Sequence, residues 1–235
     1  MSEPPVEFEQ NSTNERKRIL LQLADSLILK TQNQFTQADI DYDEPFQQSR
    51  QIQELAKRIE NNQGDVVVLV QLASKLGGNS SIEKFDPNTA LMFLGKRRKD
   101  KIYGDTWSPL MGKIEPADLE HEYGTLPNIK YGEFLRLIPI VREEREEKSG
   151  SQLLAPANVM AQSYLDVETG RIIHVGIKYY PLTPEALSKE WSVAAGGEHT
   201  EAKWFNLGSL PTSQMSEGTK KAIKNALVKL AEIQK

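Results

Sequence analysis

Three glutamates at helical spacing are the residues of this sequence that most directly suggest chemistry. Glu143, Glu146 and Glu147 would share one face of a helix, because residues three and four positions apart lie side by side. Like charges at that spacing repel, and a hard divalent cation such as Mg²⁺ relieves the repulsion because it prefers oxygen ligands. Arg142, four positions before Glu146, is placed to orient a carboxylate. The alternative is an ordinary solvated face of a charged helix.

The residues before these glutamates carry further parts of a motif. Residues 111–116 read Met-Gly-Lys-Ile-Glu-Pro, residues 132–133 read Gly-Glu, and residues 142–147 have the form Arg-Glu-x-x-Glu-Glu. Together these pieces resemble the box of the Nudix hydrolase family, Gly-x5-Glu-x7-Arg-Glu-U-x-Glu-Glu-x-Gly-U, in which U is a bulky apolar residue. The spacing within the Arg-Glu-x-x-Glu-Glu core is that of the family, without gaps.

The resemblance extends on both sides of the motif and covers residues 87–235. The apolar residues 89–94, followed by Arg97 and Arg98, are similar to the family's first strand and its usual arginine. Residues 198–205, Glu-His-Thr-Glu-Ala-Lys-Trp-Phe, are similar to the acidic residue and the Trp-Phe strand near the family's C-terminal end.

The motif also departs from the family pattern. Met111 replaces the first Gly of the opening loop, Glu144 replaces the apolar U, and Ser149 replaces the final Gly. About 16 extra residues, roughly 117–131, interrupt the box. Pro139 lies where the helix should form, so the helix is expected to start late or to kink. The catalytic loop is therefore expected to be remodelled.

The resemblance implies hydrolysis of a nucleoside diphosphate linked to another moiety, with Mg²⁺ or Mn²⁺ as cofactor and a small-molecule nucleotide as substrate. Glu201, with Glu198 as the second choice, would be the remote carboxylate that completes the metal shell or serves as base. The implied site residues are, as metal ligands, Glu143, Glu146, Glu147 and Gly112; as catalytic residues, Glu146, Glu143, Arg142 and Glu201; and, for substrate binding, Arg97, Arg98 and Lys113. The alternative is a catalytically inactive Nudix-fold module that binds a nucleotide or a macromolecular partner.

The elements before residue 80 are predicted to be helical. Residues 14–32 carry apolar side chains at helical spacing, behind Ser12 and Glu15 at capping-box spacing. A second helix is predicted to open at residues 43–45. Residues 66–70 alone favour a buried strand, but Asp65 is a potential helix cap and glycines at 77–78 could end a helix, so a helix is favoured. The predicted divisions are a flexible N-terminus over 1–13, a helical region over 14–80 and a Nudix-like domain over 87–235. The N-terminal helices could also support a homodimer.

The elements after residue 87 are predicted to be mixed. Strands are expected at 89–94 and 203–207, a β-hairpin from 159–165 and 171–180, and a closing helix over 216–234. This order predicts an α+β fold, a Nudix-like α/β/α sandwich with a mixed sheet, preceded by the helical region.

The composition excludes several classes of protein. The 235 residues include no cysteine, which excludes a disulfide scaffold, cysteine-ligated zinc and a thiol nucleophile. No run approaches the ~18 apolar residues of a membrane span, and no apolar signal-peptide core is present. With a net charge of -4, nucleic acid is not expected as a partner, nor is a membrane. A cytoplasmic location is expected.

Overall fold

The computed structural model describes residues 6–38, 48–74, 81–101, 103–119, 139, 142, 159–180 and 198–235. The helices within these residues are α1 (Val6–Ser26), α2 (Gln48–Glu60), α3 (Pro116–Leu119) and α4 (Glu217–Ile233). The strands are β1 (Phe35–Gln37), β2 (Val66–Ser74), β3 (Ala90–Arg97), β4 (Trp107–Ser108), β5 (Leu110–Lys113), β6 (Val159–Met160), β7 (Tyr164–Asp166), β8 (Arg171–Tyr180) and β9 (His199–Asn206).

All the described strands belong to one nine-stranded mixed sheet. Its main path runs β1-β7-β8-β2-β3-β4, while β5 also pairs with β2, β6 with β8 and β9 with β3. The pairing of β2 with β8 is parallel, and the other described pairings, such as β2 with β3 and β3 with β9, are antiparallel. The predicted α+β class with a mixed sheet is therefore confirmed.

Strand β2 lies at the centre of this sheet, so the preferred helix over residues 66–70 is wrong. Valine side chains are stiff and favour strands, and β2 contains Val66, Val67, Val68 and Val70. The strand pairs with β8 along one edge and with β3 and β5 along the other. A strand buried on both faces is almost continuously apolar, and a short apolar run of that kind does not reveal its period.

The two faces of the sheet carry separate cores. Helices α1 and α4 cover one face, where Leu20 of α1 and Leu227 of α4 pack with Val68, Val70 and other buried residues. Helix α2 covers the other face, where Leu55 packs in a smaller cluster with Val67 and Leu69 of β2, Leu110 of β5 and Ile114 directly after β5. The layers are therefore helix, sheet and helix.

Helix α1 differs from its predicted bounds at both ends. It begins at Val6, inside the segment expected to be flexible, and ends at Ser26 rather than near residue 32. Ser12 therefore lies within α1 and does not start it, and its Oγ accepts a hydrogen bond from Arg16 Nη1 at 2.7 Å. Helix α2 agrees with the predicted second helix over Gln48–Glu60, and its predicted start at residues 43–45 lies outside the described residues.

The elements after residue 87 follow the prediction more closely. The hairpin is confirmed as β7 and β8, which pair antiparallel around a turn at 167–170, and the predicted helix over 216–234 is confirmed as α4, Glu217–Ile233. The N-terminal half nevertheless supplies β1 and β2, so the region over 14–80 is not purely helical. The division into separate domains stays a prediction.

No helix in the described parts of the chain is both long enough and apolar enough to cross a membrane.

Candidate functional site

The loop that follows β5 is held by one arginine from a distant part of the chain. Arg142 Nη2 donates a hydrogen bond to the Lys113 backbone oxygen at 2.6 Å. The same guanidinium lies 3.6 Å from Glu115 Oε1 and 3.6 Å from Asp118 Oδ2. The side chain of Asp118 is 4% exposed and that of Arg142 27%. A planar guanidinium suits this task because its donors point in several fixed directions at once.

Gly112 packs against the same distant segment. A Cβ added at Gly112 would lie 2.7 Å from the carbonyl oxygen of Pro139, which is closer than real side chains come. The backbone of β5 can approach Pro139 this closely only because the residue is glycine. Gly112 and Arg142 therefore mark one continuous contact between the residues that precede the predicted insertion and those that follow it.

The predicted metal ligands lie mostly outside the described residues. Glu143, Glu146 and Glu147 lie outside these residues, whereas Gly112 lies in β5 beside Pro139. Within the described ranges, no group of three or more His, Asp or Glu residues is arranged to hold a metal ion. The assignments of these four residues stay predictions.

The predicted substrate-binding cations each have a partner within the protein. Arg97 Nη2 lies 2.6 Å from Glu198 Oε2, and Arg98 Nε lies 3.0 Å from Asp100 Oδ1. Lys113 Nζ donates to Asn62 Oδ1 at 2.6 Å. A diphosphate bound by any of these side chains would have to compete with these contacts.

Glu201 and Glu198 lie in different surroundings. Side chains alternate between the faces of a strand, and Glu201 shares its face of β9 with Lys203, whose Nζ lies 2.7 Å from Glu201 Oε1. Lys203 Nζ in turn lies 4.7 Å from the centre of the Trp107 ring, which belongs to the core beneath α1 and α4. Gly112 pairs with Val67, which faces α2. The structure therefore does not bring Glu201 to the contact between Gly112 and Arg142.

Glu198 carries a depressed pKa. Partial burial acts to raise the pKa of this carboxyl, but the charges of Arg97 and Lys101 and a hydrogen bond from Lys101 outweigh it and lower the pKa. Lys101 Nζ lies 3.2 Å from Glu198 Oε1. Glu198 is thus held as a carboxylate between two cations at the end of β3.

Comparison with solved structures gives several Nudix proteins. The Nudix domain of Shewanella oneidensis NrtR in complex with ADP ribose is 11% identical, with a TM-score of 0.40, covering 68% of this chain and 84% of that one. A bifunctional NMN adenylyltransferase/ADP ribose pyrophosphatase from Francisella tularensis, with AMP and a manganese ion, is 17% identical, with a TM-score of 0.40, covering 78% and 47%. A Nudix hydrolase from Nitrosomonas europaea is 13% identical, with a TM-score of 0.36, covering 70% and 71%.

These similar structures belong to the family that the sequence resembles. No protein-family model matches the chain, and no curated protein sequence matches it significantly. At such identities and TM-scores the likeness carries no argument about activity or ligand.

Asp118 is the residue of this site that the sequence analysis missed. Its Oδ2 accepts a hydrogen bond from the Glu115 backbone N–H at 2.7 Å at the start of α3. Burial raises the pKa of the Asp118 carboxyl, while that hydrogen bond and the charge of Arg142 act in the opposite direction. The signal was present, because Pro116 opens the helix and an acidic residue three positions after Glu115 has the spacing of a capping interaction.

A buried network of hydrogen bonds among polar side chains also contacts the loop that follows β5. Arg58 Nη2 of α2 donates to Asp65 Oδ1 at 2.8 Å, and Asp65 Oδ2 lies 2.8 Å from His174 Nε2. His174 Nδ1 lies 2.9 Å from Ser163 Oγ. The Asp65 backbone oxygen accepts from Ile114 N–H at 2.9 Å. Since the side chains of Asp65 and His174 are completely buried, this network fixes α2, β2 and β8 relative to the residues after Lys113.

Proposed function

We propose that this protein is a Nudix-type hydrolase that cleaves, with Mg²⁺ or Mn²⁺, the diphosphate of a nucleoside diphosphate linked to another moiety. The observation that carries the proposal is the 2.6 Å hydrogen bond from Arg142 to the Lys113 oxygen. It supports the interpretation that the two parts of the interrupted motif act as one, because the arginine of the second part binds the loop of the first. Action in the cytoplasm on a small nucleotide belongs to the same proposal.

The proposed roles follow from the chemistry of the side chains. Glu143, Glu146 and Glu147 offer hard carboxylate oxygens, which suit Mg²⁺, and Gly112 would add its carbonyl oxygen. The bound ion would neutralise the diphosphate and lower the pKa of a water molecule. Arg142 orients the segment that carries the carboxylates by holding it to the loop at Lys113 and Asp118.

The remaining roles concern the substrate and the base. Arg97 and Arg98 would bind phosphate oxygens by exchanging their present carboxylate partners for the substrate, and Lys113 would do so by leaving Asn62. For the remote carboxylate the resemblance implies Glu201, with Glu198 as the competing choice, and Glu201 lies on the face of the sheet covered by α1 and α4, away from Gly112. The pairing of Glu198 with Arg97 favours that second choice at a site that includes Arg97.

The test is hydrolysis of a panel of sugar nucleotides and dinucleoside diphosphates with and without Mg²⁺. We expect Mg²⁺-dependent turnover that falls by roughly 10²–10⁴-fold in Glu146→Gln, because a carboxylate that binds metal or moves a proton is replaced by a neutral amide. Glu60→Gln removes an exposed carboxylate of α2 and is the matched control. Equal turnover by Glu146→Gln and the unmodified protein, with both folded, would refute the assigned role.

One observation favours the alternative of a catalytically inactive Nudix-fold module that binds a nucleotide or a macromolecular partner. Met111 stands where the family has glycine, and its side chain packs against the core beneath α1 and α4. The side chain at this position of β5 therefore contributes to the core. Under the alternative, nucleotide binding would persist in Glu146→Gln, and no member of the panel would be hydrolysed by either protein.

A further inference from the structure

A cavity of about 540 Å³ lies along α4, away from the proposed hydrolytic site. Its floor is the segment before β7, and its wall is one face of α4, because the helical residues lining it are spaced three and four positions apart. The lining residues are Ala161, Gln162, Lys221, Lys224, Asn225, Val228, Lys229 and Glu232. The volume lies within the range of roughly 300–1,000 Å³ that is usual for small-molecule sites.

The lining of this cavity, which we call the α4 cavity, has an excess of positive charge. Three lysines face one glutamate. Lys229 Nζ pairs with Glu232 Oε2 at 3.0 Å, and Lys224 Nζ lies 3.6 Å from Asp25 Oδ1, whose side chain is 82% exposed and well solvated. Lys221 has no ion-pair partner among the described residues. The α4 cavity is therefore incompletely neutralised.

Lys221 is partly buried beside two aromatic rings. Its Nζ lies 6.0 Å from the centre of the Phe35 ring and 5.9 Å from that of Tyr164. Burial, and then repulsion from Lys224, lower the pKa of the Lys221 ammonium. An anion placed between Lys221 and Lys224 would relieve both effects, since each lysine would gain a counter-ion.

We propose that the α4 cavity binds a phosphate-bearing small molecule. The cations are all lysines, which bind phosphate as compact point charges, and three lysines against one glutamate match the multiple negative charge of a phosphate better than the single charge of a carboxylate. The cavity is much larger than one phosphate group, and Val228 and Ala161 give it an apolar side for the organic part of the ligand. Asn225 adds a side-chain amide, whose Nδ2 lies 3.5 Å from the backbone oxygen of Gln162.

The α4 cavity is a second site and does not depend on the proposed function. Ala161 and Val228 pack against the core beneath α1 and α4, whereas Gly112 pairs with Val67 on the face covered by α2. The sheet therefore separates the cavity from the contact between Gly112 and Arg142. A ligand there would act as an effector or as a bound cofactor, without meeting the substrate.

The test is calorimetric titration of the full chain with pyrophosphate at pH 7.5, in low salt and with a chelator. The chelator removes divalent metal, so that pyrophosphate cannot bind through ions at the proposed hydrolytic site. We expect saturable one-to-one binding that weakens about tenfold or more in Lys221→Gln and in Lys224→Gln, as for the loss of one charge-assisted hydrogen bond. Lys84→Gln makes the same change of net charge at an exposed position outside the cavity and should bind as the unmodified protein does.

Several results would overturn the proposal. Absence of pyrophosphate binding would do so, as would an equal loss of affinity in Lys84→Gln, which would indicate a general effect of charge. Tighter binding of citrate than of pyrophosphate would show a carboxylate site. Lys221-dependent binding of a single-stranded oligonucleotide, with none of pyrophosphate, would assign the lysines to nucleic acid. Melting curves of each variant separate loss of binding from loss of fold.

Discussion

At the scale of single residues, the geometry of the candidate site depends on Arg142. Its hydrogen bond goes to a backbone oxygen, so it fixes the path of the chain at Lys113, and its charge also lies near Asp118, whose carboxyl is almost completely buried. A buried acid is costly unless a cation or a donor faces it. The same side chain therefore stabilises the loop and compensates the acid beneath it.

We expect Arg142→Gln to lower the free energy of unfolding by about 1.5–3 kcal/mol, because a hydrogen bond to a charged donor is lost and Asp118 loses its cation. Urea denaturation followed by circular dichroism measures this change. Arg98→Gln is the control: it removes an arginine whose side chain is 40% exposed and pairs with exposed Asp100, so its effect should stay within about 0.5 kcal/mol. Equal effects of the two substitutions would show that Arg142 does not hold the loop.

At the scale of elements, the pairing of β3 with β9 depends on the absence of a side chain at Gly95. A Cβ there would lie 2.6 Å from Cδ2 of the His199 ring, and His199 is buried at the start of β9. His199 directly follows Glu198 in the sequence, and Glu198 pairs with Arg97 at the end of β3. Gly95 therefore sets how closely the segment with the acidic residues approaches the first strand of the predicted domain.

We expect Gly95→Ala to cost about 1–3 kcal/mol of stability, since the ring or the strand must move to accept the methyl group. Gly208→Ala is the matched control, because nothing lies within 4 Å of a Cβ added there. That control should be neutral or stabilising by up to about 1 kcal/mol through the entropy of the unfolded chain. Thermal and urea unfolding of both variants measure the contrast, and a neutral Gly95→Ala would contradict the close approach.

The elements also show what the sequence could and could not predict. The hairpin of β7 and β8 and the helix α4 were predictable, because alternation, a polar turn and helical spacing are local signals. Strand β2 was not, because an apolar run next to a potential cap fits either structure, and its pairing with a strand far along the chain decides the outcome. The capping spacing of Asp118 was a local signal, but its contact with Arg142 was not predictable, since that partner lies beyond the insertion.

At the scale of the whole molecule, the two ends of the chain are packed together. Helices α1 and α4 share the larger core, in which Leu20 and Ala24 of α1 and Leu27, directly after it, are buried. Arg16 Nη2 donates to the Lys235 oxygen at 2.6 Å, and Lys30 N–H donates to Glu217 Oε2 at 2.7 Å. Together with the central position of β2, these contacts join the N-terminal residues to the same sheet and core as the residues after 87.

Two truncations test this integration. A chain that begins at residue 81 lacks α1, α2 and β2, and we expect it to show no cooperative unfolding transition and a collapsed amide NMR spectrum. A chain that begins at residue 28 keeps the sheet but loses two buried leucines, and it should fold with a loss of roughly 3–6 kcal/mol. Cooperative unfolding of the chain that begins at residue 81 would support the predicted division between 14–80 and 87–235.

The parallel pairing of β2 with β8 has a consequence for folding during synthesis on the ribosome. Val66 pairs with Ile173, which lies more than 100 residues later in the chain. Strand β2 therefore leaves the ribosome long before β8, its parallel partner, has been translated. During that interval the edge of β2 that later pairs with β8 is unpaired and apolar, and such strand edges are prone to aggregation. We expect the yield on overexpression to improve at low temperature, where apolar association is weaker.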